Sequence, residues 1–289
     1  MKPFWTTFRY TFIRFRGQIL GWGLGIASLG LILVPFYDIF MDQQEDFMKM
    51  LDGYPPEFLA FFGGDKTSML TPEGYLGMYG FSMLPVIIGI FAVLAGSGLL
   101  VGDEERGRLD LILSHPVGRS SFFFGRAFAF IGATIAVLLI AWLGFSVLLG
   151  GSTMGVTWGQ MALPFLPLLM QALIYGTLAL LLSMLLPSRN MAAMLSALVM
   201  VASYFISSMA SLNESLATIS QIFPYAYYQG AEAMTNLNMT WLFGLLGVCL
   251  VMVMLAWWRF LRRDIRLSGE GSLRFWFSSP LRRKKVESV

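Results

Sequence analysis

Hydrophobic and polar positions along this chain fall into long blocks rather than into a short repeating period. Gln18–Tyr37 carries no Asp, Glu, Lys or Arg, residues 74–102 carry none, and residues 127–188 run uncharged for 62 positions. A helix rising 1.5 Å per residue needs about 20 apolar residues to cross about 30 Å of hydrocarbon. The first block therefore predicts one crossing helix and the second another, at about Tyr79–Val101. The third block is too long for one crossing and long enough for two, with Gly150–Gln160 supplying the turn. It predicts helices at about 127–149 and 161–186. After a tight turn at Pro187–Asn190, Met191–Ser211 predicts a fifth crossing and Met239–Trp258 a sixth. The fold class is thus all-α: a polytopic membrane protein with six transmembrane helices over residues 1–262, followed by a basic tail at 263–289.

The segments between these blocks carry their own signals. Residues 3–16, at 100° per residue, gather Phe4, Trp5, Phe8, Phe12 and Phe15 on one arc flanked by Arg9 and Arg16. That pattern predicts an interfacial amphipathic helix, rings in the acyl boundary and arginines toward phosphates. The uncharged stretch after it reads as an uncleaved first crossing, whose Gly21, Gly23, Gly25 and Gly30 would let another helix come close. Residues 38–78 hold eight acids against Lys49 and Lys66, and are interrupted by Pro55–Pro56 and Gly63–Gly64. They predict a folded external loop. Residues 212–238 admit two readings: two short re-entrant helices with Tyr225, Tyr227 and Tyr228 at headgroup depth, or a plain external loop.

Composition supports lipid as the main solvent. The chain is 56% hydrophobic and 13% charged, with mean hydropathy +0.68, where soluble domains average about a quarter charged residues. A net charge of +3 does not point to nucleic acid, because the cations lie beside the apolar blocks. Counted by side, 18 of the 20 Lys and Arg fall at the N-terminus, in 102–126, at Arg189 and in the tail, leaving Lys49 and Lys66 opposite. The positive-inside rule then predicts both termini and the 102–126 segment on the cytoplasmic side and the acidic loop outside. The single cysteine, Cys249, cannot form an intrachain disulfide.

The predicted spans hold no charged side chain, which argues against a proton pump, a voltage sensor and a self-powered carrier. There is no phosphate-binding G-x-x-x-x-G-K-[ST] loop, and LSGEG at 267–271 reads as a linker. The only histidine, His115, has no second ligand or base beside it. No catalytic, cofactor or metal residue is therefore predicted on this chain. Polar residues within spans are few. Gln171 and Tyr175 share one helix face, and Tyr204 and Ser208 share another. They read either as the lining of a pathway for an amphipathic substrate or as ordinary interhelical hydrogen bonding.

One segment stands apart: Gly102–Arg126, GDEERGRLDLILSHPVGRSSFFFGR. Glu104–Arg108 and Arg106–Asp110 are i,i+4 pairs that support a helix, with Leu109, Ile112 and Leu113 on one side. His115–Pro116 ends it. Set between the second and third crossings, such a helix would lie under the membrane and present charge to a soluble partner.

DEERGRLDLILSHPVGR resembles the cytoplasmic segment of type-2 ABC exporter permeases. In that family acidic residues precede Gly-Thr-Leu, a Leu-Leu pair, then Pro-Val and a basic residue. The matching positions here are Glu104, Glu105, Gly107, Leu109, Leu113, Pro116, Val117 and Arg119; Arg108 replaces the usual Thr, and Arg126 stands where Lys is common. The layout of interfacial helix, six spans and a Pro-aromatic segment before the last span (Phe223, Pro224, Tyr225) is also similar. The resemblance implies that Asp103–Arg119 is a coupling helix docking on an ATPase. It further implies two ABC ATPase subunits carrying ATP and Mg, a second permease copy or homologue, and export of a drug, peptide or lipid. The expected partners include membrane lipids and exclude nucleic acid. Two other classes remain open at this point: a membrane scaffold or assembly factor recruiting a cytoplasmic partner, and a secondary carrier.

Overall fold

A computed structural model describes residues 2–51, 53, 71–105, 118–210 and 214–262. Six helices are long and apolar enough to cross a membrane, and the described residues contain no strand. The leading helix α1 (Lys2–Arg14) is followed after a one-residue break at Phe15 by α2 (Arg16–Asp42). The second crossing, α3 (Pro72–Gly98), opens with a helical turn capped by the Thr71 hydroxyl and contains a π-helical stretch at Gly77–Phe81. Then come α4 (Arg119–Ser146), α5 (Phe165–Leu185), α6 (Arg189–Ser208) and α7 (Met239–Arg262).

Glycine contacts set the helix directions. α2 and α4 run parallel, because Gly23 meets Ile140 and Gly144 meets Ala27 in the same order along both. A Cβ on Gly144 would lie 2.5 Å from the Ala27 Cα, so the two backbones touch with no side chain between them. Of the four glycines predicted to admit a neighbour, Gly23 and Gly30 do so, against Ile140 and Phe145, while Gly21 and Gly25 face open space. Spacing alone could not separate the two pairs. α3 and α5 are also parallel, with Gly96 against the Gly176 carbonyl and Phe81 beside Phe165. α6 runs antiparallel to α3, placing Gly89 by Met200 and Gly98 by Arg189. α7 returns beside α4, stacking Phe260 on Phe122.

This arrangement gives the bundle two ends. Arg14, Arg119, Arg126, Arg189 and the C-terminus of α7 gather at one; Asp42, Pro72, Ser152 and Pro224 gather at the other. The aromatic arc of α1 is shared rather than given wholly to lipid. Phe8 and Phe12 pack over Gly132 of α4, Phe4 meets Phe128 edge-on, and Trp5 stays 62% exposed.

The crossing helices also outrun their uncharged blocks. α2 continues through Asp38 to Asp42, and α4 begins at Arg119, so Arg126 sits seven residues, about 10 Å, inside it. The uncharged predicted spans are therefore only part of the crossing helices, whose end turns carry charge. Helices stop where backbone hydrogen bonding stops, not where hydropathy changes. Arg126 is tolerated because the chain itself solvates it, as described next.

Candidate functional site

The 102–126 segment leaves α3 at the basic end and re-enters as α4. Of its expected coupling residues, Gly107, Leu109, Leu113, Pro116 and Val117 lie outside the described residues, as do the predicted helix around them and its stop at His115. Asp103 and Glu104 fall in a short helical turn, Val101–Glu104, that continues α3. The two described flanks are tied into the bundle. Glu105 is exposed, and its Oε1 accepts the backbone N–H of Arg189 at 3.0 Å, the first residue of α6. A helix leaves its first amides without partners and carries partial positive charge there, so a carboxylate is a favourable cap. Arg119, the first residue of α4, donates from Nη1 to the Leu261 carbonyl at 3.3 Å, near the end of α7. Beside it, Trp257 Nε1 donates to Ser120 Oγ.

The end of α3 is held in the reverse sense. Its C-terminal end carries partial negative charge, and the Leu99 carbonyl lies just past the last helical residue. Arg189 Nη2 donates to Leu94 O at 3.2 Å, and Arg126 Nη1 donates to Leu99 O at 2.5 Å. The Arg126 guanidinium also lies 4.3 Å over the Phe122 ring and is 3% exposed. Arginines from α4 and α6 thus bond the end of α3, and the described flanks of the segment are bonded to α6 and α7.

At the opposite end, the four residues singled out as a possible pathway come together in one buried network. Tyr175 donates to Ser203 Oγ at 3.1 Å, and the same oxygen accepts the Tyr225 backbone N–H at 3.1 Å. Gln171 Nε2 donates to Pro224 O at 2.7 Å; its Oε1 is buried without a hydrogen-bond partner among the described residues. Tyr204 donates toward Met83 Sδ and packs edge-on against Tyr225, and the half-buried Ser208 lies one helical turn beyond Tyr204. Gln171, Tyr175 and Tyr204 are each under 5% exposed. Their polar atoms are turned on protein.

The sequence pattern marks Tyr225 and Tyr228 but not their partners. Pro85 has no N–H, so the carbonyl of Phe81, four residues earlier, loses its helical donor. The Tyr228 hydroxyl supplies it at 2.9 Å. Next along the chain, Val86 N–H bonds Met83 O, which leaves the Ser82 carbonyl for the Tyr225 hydroxyl at 3.0 Å. Burial holds both phenols above their ordinary titration range, which keeps them neutral donors. The signal was present in Pro85 and the 225–228 tyrosines, yet nothing local links positions more than 140 residues apart. Residues 214–238 therefore fold back on the bundle through a helix at Glu214–Ser220 and short turns at Pro224–Tyr227 and Gly230–Met234.

The chain was compared with known proteins. A family model described as "ABC-2 family transporter protein" matches residues 21–265. A search of curated proteins found no match.

Proposed function

The chain belongs to the ABC-2 family of transporter proteins, a multi-pass membrane component of transport rather than a catalyst, and from that premise we propose that it is the permease of an ATP-driven exporter. In this reading both termini and the 102–126 segment face the cytoplasm of a bacterial cell, as the cation asymmetry suggests. Two permease halves pair with two ATPase subunits. ATP and Mg bind on those subunits, and this chain contributes no cofactor site. The cargo is a hydrophobic or amphipathic molecule such as a drug, peptide or lipid, in keeping with the apolar interior.

The observation that carries the mechanism is the bonding of the segment's flanks. Glu105 caps α6, Arg119 holds the end of α7, and α3 and α4 continue directly from the segment. A push on Asp103–Arg119 from a closing ATPase dimer would move four crossing helices as one. The Gln171–Tyr175–Tyr204–Ser208 network then acts as an outer latch, closed while Pro224 and Tyr225 stay bonded to α3, α5 and α6.

The test is co-purification with the ATPase encoded beside this chain, followed by ATP hydrolysis with and without Glu104→Ala/Glu105→Ala. Loss of stimulated hydrolysis supports coupling; unchanged complex formation and hydrolysis count against it. Export that proceeds without hydrolysis favours a secondary carrier, and an ATPase that binds without ever supporting export favours a scaffold.

A further inference from the structure

α4 and α5 run antiparallel and touch at two heights. Near the acidic end Phe145 meets Phe165 edge-on at 5.8 Å, and deeper in the bundle Phe130 packs on Gly176. Between those heights the exposed side of the pair holds a groove of about 280 Å³. It follows α4 from Ile135 to Trp142, a run of about 10 Å. Leu138 and Phe165, both buried, form its floor; Leu139 and Leu166, 52% and 39% exposed, stand at its rims. The lining is apolar. Its one polar side-chain atom, the Trp142 indole nitrogen, already donates to the Trp158 carbonyl at 3.3 Å. A buried water needs about two to four polar partners, so water gains nothing here. A polar or charged occupant would be desolvated with no hydrogen bond in return.

Depth supplies a second, independent observation. Both helices are among the six long and apolar enough to cross a membrane. Trp142 lies about 6 Å along the axis from the end of α4. Its ring meets Trp158 edge-on at 5.8 Å, and Trp158 is 47% exposed. Indole rings gather at headgroup level. One mouth of the groove therefore opens at the interface, and the rest lies in the acyl region.

We infer that the α4–α5 groove binds one acyl chain of a phospholipid from the leaflet at the acidic end, with its headgroup beside Trp158. An alkyl chain carries no polar atom to desolvate, and it bends to follow the floor between two helices. A helix, about 10–12 Å across with its side chains, does not. Held on the floor and both rims, the chain makes more close contacts than a lipid lying against a flat helix face. Only a bilayer-spanning chain is required, so this site and the exporter reading can fail independently.

The experiment is native mass spectrometry of the purified full-length chain with long-chain phosphatidylglycerol, long-chain phosphatidylcholine and short-chain phosphatidylcholine. Ala162→Phe and Leu139→Phe place a ring in the groove, and Leu198→Phe adds one on the exposed side of α6 as a control. Unfolding temperature monitors the fold; if Ala162→Phe fails to fold, Leu139→Phe, on the exposed rim, decides alone. The expected result is retention of a long-chain phospholipid with either headgroup and weak retention of the short-chain one. Retention should fall about tenfold in the two groove variants and stay unchanged in Leu198→Phe. Retention that follows headgroup and not chain length, or that is unchanged in the groove variants, overturns the site. Loss of a dimer in those variants with lipid retention intact also overturns it, and makes the groove a seat for a second copy.

Discussion

Asp38 and Thr153 form a two-fold polar contact at the acidic end of the bundle: Oδ1 of Asp38 accepts the Thr153 backbone N–H at 2.9 Å and its hydroxyl at 2.6 Å. Ser152 Oγ donates to the same oxygen at 3.2 Å. The carboxylate of α2 thereby bonds the turn joining α4 to α5, adding a polar tie to the backbone contact at Ala27 and Gly144.

Asp38→Ala is expected to lower stability by about 1–2 kcal/mol, the range for losing hydrogen bonds to a charged acceptor with water able to compete. Thr153→Val removes one of the three donors and should lose less. A double-mutant cycle read by thermal unfolding in detergent checks the pair; additive effects would show that the contact contributes nothing.

The glycine faces offer a contrast within one helix pair. Gly144→Val places side-chain atoms on the Ala27 backbone and should separate α2 from α4, with loss of folded protein on size-exclusion chromatography. Gly21→Ala meets nothing within 4 Å and removes a helix-interior glycine. It should be neutral or raise stability by about 0.5–1 kcal/mol. Equal damage from both substitutions would contradict the packing.

Tyr225→Phe and Tyr228→Phe each remove the side-chain donor to a part-buried carbonyl of α3 and should cost about 1–3 kcal/mol. Gln171→Met removes one hydrogen bond but also an unpartnered buried oxygen, so its effect should be smaller. Unfolding temperatures of the three variants rank the contributions.

Alkaline pH tests the same contacts. The Tyr225 phenol is held above its ordinary value of 10.0 in the folded chain, so its proton is lost first from the unfolded state. Its contribution is fully present below about pH 10 and is lost as pH rises toward and through the folded value. The unfolding temperature should be steady up to about pH 9 and fall above about pH 10, and the fall should be shallower in Tyr225→Phe.

Glu105→Gln keeps an oxygen able to accept the Arg189 amide and removes only the charge. Its folding stability should stay within about 0.5 kcal/mol of wild type, as for other exposed charges. If the 102–126 segment engages an ATPase, stimulated hydrolysis should fall several-fold in the same variant. Unchanged hydrolysis would leave Glu105 a helix cap only.

Hydropathy reports the transfer free energy of a segment, a sum over neighbours in sequence, and so the sequence by itself determined that six helices cross, where each roughly lies and which residues within them are polar. It also determined that cations cluster on one set of connections, since that follows from position along the chain. What the tertiary structure alone decided is which group answers which. Gly23 and Gly30 meet α4 while Gly21 and Gly25 do not; Arg126 is buried because α3 offers it the Leu99 carbonyl; Phe81 and Ser82, stripped of helical donors around Pro85, find them on Tyr228 and Tyr225. Each of these pairings joins an unsatisfied backbone or charged group to a distant partner, and its free energy exists only once the helices have packed and excluded water from both.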